Sequence, residues 1–546
     1  MHNFIFMGGL EKMNKKIICC LICTLFISAV FPVNGTINYH HKNPNLLSLD
    51  WIEYQKLNAS DGEEEDYFGE PISIYEDYAV IGAYWDSNSN GLHTGSAYVF
   101  RNSGSSWDEV SKLIASDVQD YNHFGISASI YGDYIIIGAD MNNNENGEYA
   151  GCVYIFKCDG SSWYQEAKLI ASDGDYLHQF GFAVSIYENY VLIGSPNYDH
   201  GKGGAYIFER NGSVWEEQAI LKASDNATID FGMSVSLYSE FAVVGASDEN
   251  DKGLVYIFKK DGLNWTEQKK LVSSNSTAND FFGSSISVHG DIILIGSFRL
   301  DEPGSTYVFK RDGADWIEVE ELKAPDNPEY DSFGITVSFD GNHALIGTVA
   351  SSDLNSSVYI FKFDGTSWDY VSKLTPSDGE IDDYFGGCVS IYDNYAFVGA
   401  PADDDNGEDS GSVYIFKRGE NQPPNPPIIH GPSICKVRTA CPYNFTSEDP
   451  DGDDVSYYVR WSYGDITNWT DFQASGPPGY TVSHSWDVKG VYIISAKAKD
   501  NYGLESDWSD EFEVTVPRDR AANLWYKWFL ERFPVFERLL SLIRMG

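Results

Sequence analysis

Basic residues are scarce in this sequence, and so are the residue patterns that most catalytic centres need. Lys and Arg number 37 against 81 Asp and Glu, which gives a formal net charge of −44. A surface of this sign repels nucleic acids and anionic lipids, so we expect no nucleic-acid partner. There is no His-x-x-x-His pair, no Gly-x-Ser-x-Gly elbow and no phosphate-binding loop. We therefore assign no catalytic residue and expect a protein that is not an enzyme.

Cysteine is also sparse, and its pattern argues against a disulfide-stapled scaffold. Five of the eight cysteines follow residue 35, and an odd number cannot form a complete set of disulfides. Cys152 and Cys158 lie on one predicted strand, about 20 Å apart, which no disulfide can span. Cys435 and Cys441 form the one plausible disulfide.

The N-terminus has the pattern of an export signal. Lys15 and Lys16 precede an apolar run over residues 17–30. This order predicts a cleavable signal peptide over residues 1–35, and so a secreted or cell-surface protein. An uncleaved membrane anchor is the alternative. Sequons for N-glycosylation agree with export. They occur at Asn58, Asn211, Asn226, Asn264, Asn275, Asn355, Asn444 and Asn468.

A sequence repeat organises most of the chain. Each copy begins with Phe-Gly, runs through an apolar stretch to Gly-Ala or a close variant, and then reaches Tyr-[Val/Ile]-Phe and a segment opened by Trp. Tight turns such as Asp159-Gly160 and Asn211-Gly212 separate the last two stretches, which indicates hairpins. Four antiparallel strands at a period of about 50 residues are typical of a propeller blade. The Phe-Gly pairs begin at Phe68, Phe124, Phe180, Phe231, Phe282, Phe333 and Phe385.

Seven copies predict an all-β, seven-bladed β-propeller over residues 50–418. There are also seven Trp segments, but the first begins at Trp51, before any Phe-Gly, and none follows Tyr414. We therefore expect residues 51–59 to form the outer strand of blade 7, which closes the ring and leaves no open sheet edge. An open stack of hairpins is the alternative.

The Phe-Gly…Gly-Ala-Pro pattern, complete at Phe385-Gly386 and Gly399-Ala400-Pro401, resembles FG-GAP repeats. Such repeats form the blades of integrin α-subunit propellers and of many archaeal and bacterial surface proteins, so the resemblance implies cell adhesion. Integrin-type repeats usually carry an Asp-rich calcium loop between the two motifs. Here that connection is as short as Tyr131-Gly132-Asp133-Tyr134, so calcium is not expected there.

Acidic residues concentrate in the other loops, those that follow each Gly-Ala and those that enter each Phe-Gly. Because successive strands run in opposite directions, these loops share one face of the predicted ring, and the tight hairpins share the other. Three interpretations remain open: turn formation alone, calcium binding through oxygen ligands, and direct ligand recognition. His93, His123, His178 and His200 also fall on this face. The candidate calcium ligands are Asp86, Asn88, Asn90, Asp140, Asn142, Asn144, Asp403, Asp405 and Asp409.

A different organisation follows the propeller. A Pro-rich linker over residues 419–427 leads to residues 428–516, whose alternating pattern predicts a small immunoglobulin-like β-sandwich. Asp449-Pro450-Asp451-Gly452-Asp453, followed by Trp461, resembles a PKD domain, a common spacer in microbial surface proteins. Residues 517–546 predict a short amphipathic C-terminal helix, interrupted at Pro534. This tail either docks against the sandwich or lies on a membrane, and only it or an uncleaved signal would contact one.

Together these features favour a secreted or cell-surface binding and adhesion protein. Its ligand would be an extracellular glycan or protein, recognised through the acidic loops. Calcium is the one cofactor that these loops suggest. A polysaccharide-active hydrolase or lyase and a structural cell-envelope protein are the alternatives, because a propeller scaffold does not by itself decide function.

Overall fold

The computed structural model describes residues 51–117, 119–225, 230–247, 252–275, 280–298, 303–326, 332–349, 356–380, 382–419, 422–450, 453–462, 464–501, 503–517, 528–529 and 531–535. Within the compact unit Trp51–Arg418 lie seven four-stranded antiparallel sheets. The chain is thus an all-β protein with a seven-bladed propeller, as the repeat predicts.

Each blade runs from an inner to an outer strand in chain order, and neighbouring inner strands contact each other round the ring. Blade 1 contains β2 (Ile72–Tyr75), β3 (Tyr78–Ala83), β4 (Ser96–Asn102) and β5 (Trp107–Leu113). Blade 2 contains β6 (Ala128–Tyr131), β7 (Tyr134–Ala139), β8 (Cys152–Cys158) and β9 (Trp163–Leu169). Blade 3 contains β10 (Ala183–Tyr187), β11 (Tyr190–Ser195), the single turn α1 (Tyr198–Gly201), β12 (Gly204–Asn211) and β13 (Val214–Leu221).

The remaining blades follow the same order. Blade 4 contains β14 (Phe231–Tyr238), β15 (Phe241–Ala246), β16 (Leu254–Asp261) and β17 (Asn264–Leu271). Blade 5 contains β18 (Ile286–His289), β19 (Ile292–Ser297), β20 (Ser305–Asp312) and β21 (Asp315–Leu322). Blade 6 contains β22 (Thr336–Phe339), β23 (His343–Thr348), β24 (Ser357–Phe363) and β25 (Trp368–Leu374). Blade 7 contains β26 (Cys388–Tyr392), β27 (Tyr395–Ala400), β28 (Ser412–Arg418) and β1 (Trp51–Leu57).

The N-terminal strand completes the last blade. β1 pairs antiparallel with β28, from Trp51 opposite Arg418 to Leu57 opposite Val413. The outer edge of blade 7 is thereby formed by a strand far away in sequence, which joins the two ends of the repeat array through backbone hydrogen bonds.

Close packing of backbones explains the Phe-Gly and Gly-Ala motifs. The N–H of Gly125 donates to the carbonyl of Gly138 in the same blade at 3.0 Å. A Cβ atom on Gly138 would lie 2.0 Å from the carbonyl oxygen of Gly181 in the next blade. The contact recurs between Gly82 and Gly125, and between Gly399 and Gly69 across the closure. Both motif glycines are therefore needed because a side chain would push neighbouring blades apart.

Serine hydroxyls connect the inner strands in a closed circle. Ser73 Oγ accepts the backbone N–H of Ile130 on the next inner strand at 3.2 Å, and Ser390 Oγ accepts that of Ile74 at 3.3 Å across the closure. These bonds satisfy inner-strand amides that have no ladder partner on the channel side. The seven acceptors are Ser73, Ser129, Ser185, Ser236, Ser287, Ser338 and Ser390.

The second unit is a small β-sandwich. One sheet contains β29 (Ile428–His430), β30 (Cys441–Thr446) and β33 (Tyr480–His484). The other contains β31 (Val455–Ser462), β32 (Asp465–Thr467), β34 (Gly490–Asp500) and β35 (Phe512–Val516). Its core includes Tyr457, Trp461 and Trp486, and a disulfide joins Cys435 to Cys441.

The tail and the N-terminus are described only in part. In the tail, residues 528–529, 531–532 and 534–535 are helical, and the N–H of Phe533 donates to the carbonyl of Phe529 at 3.0 Å. The signal peptide and the rest of the predicted C-terminal helix lie outside the described residues. In the ranges that are described, no helix has the length and apolar character to cross a membrane.

Candidate ligand-binding face

The propeller side that carries the loops after each Gly-Ala and before each Phe-Gly is called the loop face. The loop after Ala83 in blade 1 and the loop that enters blade 2 are joined by backbone hydrogen bonds: Tyr121 N–H donates to the Leu92 carbonyl and Phe124 N–H to the Thr94 carbonyl, both at 3.0 Å. Asp120 Oδ1 also accepts the N–H of Leu92 at 3.0 Å. These bonds hold the loops as a rigid surface and not as independent segments.

A lysine of the outer strand neutralises the carboxylates of blade 1. Lys112 Nζ lies 2.7 Å from Oδ2 of Asp61 and 3.2 Å from Oδ2 of Asp86. The hydroxyl of Tyr98 donates to Asp61 at 2.8 Å, and the Lys112 ammonium lies 5.0 Å from the centre of the Tyr98 ring. We call this arrangement of a loop aspartate, a third-strand tyrosine and an outer-strand lysine the Asp–Tyr–Lys network.

The network recurs in most blades. In every copy the aspartate lies in the loop that enters the blade, so the network also connects neighbouring blades. The other members are Asp117, Tyr154 and Lys168; Asp225, Tyr256 and Lys270; Asp326, Tyr359 and Lys373; and Asp378, Tyr414 and Lys56.

Two blades depart from it. In blade 3, Asp173 accepts from both Tyr206 and Tyr198 at 2.8 Å, and Lys222 contacts the Tyr198 hydroxyl. In blade 5, Glu321 stands opposite Tyr307, at the register position that Lys112 holds opposite Tyr98.

Ionisation follows from these contacts. Burial disfavours the charged forms, but hydrogen bonds from Lys112 and Tyr98 hold the pKa of Asp61 below its usual value. Burial likewise disfavours the Lys56 ammonium, but hydrogen bonds with Asp405, Tyr414, Asp403 and Asp378 raise its pKa above the usual value. Asp61 and Lys56, the aspartate and the lysine of two such networks, are therefore both charged at neutral pH.

Two other carboxyl groups of the loops have pKa values that are raised and not lowered. Asp66 Oδ2 accepts the N–H of Glu63 at 2.7 Å, and Asp383 Oδ2 accepts that of Glu380 at 2.5 Å. Burial raises the pKa of Asp66 to about 7 and that of Asp383 to about 6. Both side chains close the turn in which they lie, a structural use of acidic residues.

The candidate calcium ligands of blade 1 are engaged with the protein itself. Asp86 accepts from the Ser96 hydroxyl, and Asn88 Nδ2 donates to the Gly95 carbonyl at 2.9 Å. Asn90 Nδ2 donates to the Ala115 carbonyl at 2.9 Å. A cation at this loop would have to displace the Lys112 ammonium from Asp86.

Blade 7 is similar. Lys56 Nζ lies 3.1 Å from Asp403 and 2.7 Å from Asp405, and Asp409 accepts from the Tyr67 hydroxyl at 3.4 Å. Among the described residues, no group of three or more His, Cys, Asp or Glu side chains is placed to hold a metal ion. Calcium at these loops stays a prediction.

In blade 2 the candidate calcium ligands are offset in position from those of blade 1, which the sequence pattern does not reveal. Asp140 follows Ala139, the last residue of β7, and so corresponds to Tyr84 and not to Asp86. Asn142 holds the Asp86 position, with Lys168 Nζ at 3.3 Å from its Oδ1. Asn144 donates to the Gly151 carbonyl at 2.7 Å, as Asn88 does in blade 1.

Asp140 instead faces the next loop. It is 2% exposed, and its Oδ1 lies 3.3 Å from Nδ1 of His123. Its Oδ2 accepts from Gln179 Nε2 at 3.0 Å. The geometry thus creates a carboxylate–imidazole pair on the loop face, between the loop that enters blade 2 and the loop that follows β7 of the same blade.

An aromatic cluster lies beside this pair. The ring of Trp85 is 4.5 Å from that of His93, 5.6 Å from His123 and 6.5 Å from Tyr121, measured between centres. Tyr84 lies 5.7 Å from His123. Residues Tyr84, Trp85, His93, Tyr121 and His123 are called the aromatic cluster. Both histidines are predicted on this face from the sequence but Trp85 is not, although it is the one Trp of the propeller that does not lie at the start of an outer strand.

The opposite side, the hairpin face, has a different character. A cleft of about 500 Å³ lies on this face between blades 2 and 3 and is lined by residues that include Tyr131, Tyr134 and Arg210. Arg210 stacks on the Tyr134 ring, with 4.4 Å between guanidinium carbon and ring centre. Part of the cleft wall is thus a structural stack.

The predicted glycosylation sites fall into three groups. Asn211, Asn264, Asn275 and Asn468 are exposed. Asn58 and Asn444 are half-buried, and their amides donate to Asp405 and to the Pro478 carbonyl. Asn226 and Asn355 lie outside the described residues. No glycan is implied by exposure alone, so modification stays a prediction.

Comparison with known proteins agrees with the repeat analysis. The family model described as FG-GAP repeat matches residues 51–100, 107–156, 163–208, 215–258, 265–309, 316–361 and 368–416. Among curated proteins, none matches the chain significantly.

Similar solved structures include two propellers and one small domain. A 6-phosphogluconolactonase-like protein of Bacteroides fragilis NCTC 9343 is 10% identical, with 75% of this chain and 98% of that one covered and a TM-score of 0.40. A 6-phosphogluconolactonase-like protein of Bacteroides uniformis ATCC 8492 is 9% identical, with 75% of this chain and 99% of that one covered and a TM-score of 0.40. The PKD domain of an M14-like peptidase from Thermoplasmatales archaeon SCGC AB-540-F20 is 41% identical over 18% of this chain and all of its own, with a TM-score of 0.17. These likenesses say nothing of activity.

Proposed function

The chain belongs to the FG-GAP repeat family, and we propose that it is a secreted or cell-surface binding protein whose propeller recognises an extracellular glycan or protein through the loop face. The observation that carries this proposal is the contrast between the two faces. On the loop face, the described loops around Trp85 and Tyr121 are joined by backbone hydrogen bonds and present half-exposed aromatic and histidine side chains, whereas the cleft on the hairpin face between blades 2 and 3 is lined by the stacked side chains of Tyr134 and Arg210.

The charge of the loop face also fits binding without catalysis. In blade 1, Lys112 is paired with Asp61 and with the buried Asp86, so these carboxylates stabilise the loops and are not free to act as acids or bases. Export, glycosylation and a contribution of calcium to ligand binding remain parts of the proposal. The sandwich would act as a spacer, and the C-terminal tail as a surface contact.

Blocking one face at a time tests the proposal. Ser89 lies in an exposed loop of the loop face, and Ser105 is exposed in a β4–β5 hairpin of the opposite face. Ser89→Cys and Ser105→Cys can each be coupled to a bulky polyethylene glycol maleimide, because Cys152 and Cys158 are buried and Cys388 is partly buried. The full chain is then measured against arrayed oligosaccharides and extracellular polysaccharides.

We expect the coupled Ser89→Cys protein to lose binding and the coupled Ser105→Cys protein to keep it. Equal retention by both, or loss only at Ser105, would contradict recognition through the loop face. Uncoupled variants serve as controls for the substitutions themselves.

A second candidate function is supported by the His123–Asp140 pair. A histidine next to a buried carboxylate is an arrangement used for general acid–base catalysis, so a polysaccharide-active hydrolase or lyase is the alternative. Product release from the same arrayed polysaccharides, abolished by His123→Gln, would favour the enzyme. Binding without turnover would favour the binding protein.

A further inference from the structure

Trp85 is an exception to the repeat. Seven propeller tryptophans open outer strands, one in each blade, and pack between blades. Trp85 lies instead in the β3–β4 loop, two residues after Ala83, where blade 2 has Met141 and blade 7 has Ala402. The repeat architecture therefore gives no structural reason for a tryptophan at this point.

The rings around Trp85 have unoccupied polar ends. Tyr121 is 48% exposed. In the described part of the chain, neither its hydroxyl nor the indole N–H of Trp85 has a hydrogen-bond partner. His93 Nδ1 forms a hydrogen bond with the Trp85 carbonyl oxygen at 2.9 Å, which leaves Nε2 of the same ring available. Amphipathic rings with free donors are suited to a ligand that has both C–H faces and hydroxyl groups.

His123 adds an oriented imidazole. Its Nδ1 faces the buried Asp140, whose Oδ1 receives no well-formed hydrogen bond within the described residues. A carboxylate in this position fixes the orientation of the ring and favours a proton on Nδ1. The opposite nitrogen, Nε2, then becomes an acceptor for a ligand hydroxyl.

The cluster is held in place before any ligand binds. His93, Tyr121 and His123 have φ values of 47°, 63° and 55°, in the left-handed region, which is energetically costly for a residue with a side chain. The backbone bonds from Tyr121 to Leu92 and from Phe124 to Thr94 maintain this conformation. Preorganised rings lose little entropy on binding, which favours affinity.

Neighbouring charges select the ligand further. Asp120 lies in the same loop as Tyr121, and the whole chain carries a net charge of −44, so an anionic sugar would be repelled. The negative faces of aromatic rings attract the C–H bonds on a sugar face.

We propose that the aromatic cluster is a stacking subsite for a neutral pyranose unit of an extracellular glycan. This inference rests on the binding function proposed above and names its ligand class. Trp85 and Tyr121 supply the stacking surface, and His123 Nε2 and the Trp85 N–H bind hydroxyl groups. Asp140 acts as a positioning residue through His123.

The test is affinity for defined sugars. The full chain is measured by calorimetry against neutral, uronate-containing and amine-bearing oligosaccharides of equal length. We expect neutral oligosaccharides to bind most tightly, and Trp85→Ala and Tyr121→Ala each to weaken that binding at least about tenfold. Tyr176→Ala is the matched control, because Tyr176 is a 54% exposed tyrosine on the same face outside the cluster, and it should change affinity less than about twofold. Tyr121→Ala removes an exposed ring, so it stays informative if Trp85→Ala fails to fold.

Unchanged affinity in both cluster variants, or a preference for charged oligosaccharides, would overturn the inference. If the coupled Ser89→Cys protein still lost binding in that case, recognition through the loop face would stand and only the subsite would be wrong. No binding to any neutral oligosaccharide, together with loop-face binding of a polymer of another class, would also reject the subsite alone.

Discussion

At the scale of single residues, the loop face shows how an acidic protein can bury carboxylates. Asp86 is almost fully buried, and its charge is compensated by Lys112 and by hydrogen bonds from Ser96 and Asn88. Leaving a buried charge without its partner costs far more than losing an exposed ion pair. Lys112 therefore stabilises the fold and does not merely adjust surface charge.

Replacing Lys112 by Met tests this interpretation. Met keeps most of the aliphatic stem but removes the ammonium, so Asp86 loses its cation, and we expect a loss of stability on the order of 2 kcal/mol at neutral pH. The measurement is the midpoint of chemical denaturation. Lys269→Met is the matched control, because Lys269 and Asp315 form an ion pair with side chains 37% and 56% exposed. That control should change stability by less than about 1 kcal/mol. Equal effects of the two substitutions would show that burial of Asp86 does not matter.

At the scale of strands and loops, the sequence revealed the pattern but not every register. The Phe-Gly and Trp periods were enough to predict four strands for each blade, and the Trp count placed residues 51–59 where β1 pairs with β28. In the sequence, Asp140 aligns with Asp86 because both residues begin an Asp-x-Asn pattern. Only the end of β7 at Ala139 shows that Asp140 does not hold the Asp86 position.

The lysine of the network was visible but not recognised. Each of Lys56, Lys112, Lys168 and Lys373 precedes a leucine and is followed five residues later by aspartate. Asp61, Asp117 and Asp378 each pair with the lysine of the next blade and not with the one that precedes them, whereas Asp173 is held by two tyrosines. A contact of about 50 residues' separation cannot be inferred from local spacing.

The glycine contact between blades gives a prediction at this scale. Gly138 has ordinary backbone angles, but a Cβ would meet the Gly181 carbonyl oxygen at 2.0 Å, so Gly138→Ala should separate blades 2 and 3 and cost about 3 kcal/mol or more. Gly160→Ala in the same blade is the control, because its φ is +92° but no atom lies within 4 Å of the added carbon. It should cost about 1 kcal/mol from backbone strain alone. Thermal and chemical denaturation of both variants provide the comparison, and a larger cost at Gly160 would contradict the packing explanation of the motif.

At the scale of the whole molecule, two separate cores imply two unfolding events. The propeller unit Trp51–Arg418 has hydrophobic cores of its own. The sandwich core around Trp461 and Trp486 shares no residue with them. Domains with independent cores usually unfold in separate steps. Calorimetry of the full chain should therefore show two transitions, the larger enthalpy belonging to the longer propeller.

The disulfide assigns the smaller transition. Cys435 and Cys441 lie in the sandwich unit, whereas Cys152, Cys158 and Cys388 of the propeller are free thiols. Opening the short loop that the disulfide closes should destabilise the sandwich by about 2 kcal/mol, which lowers its midpoint by roughly 10 °C for a domain of this size. The double substitution Cys435→Ala and Cys441→Ala should move that transition alone, and added reductant should then have no further effect. A shift of both transitions, or a single transition in the unmodified chain, would show that the two units unfold together.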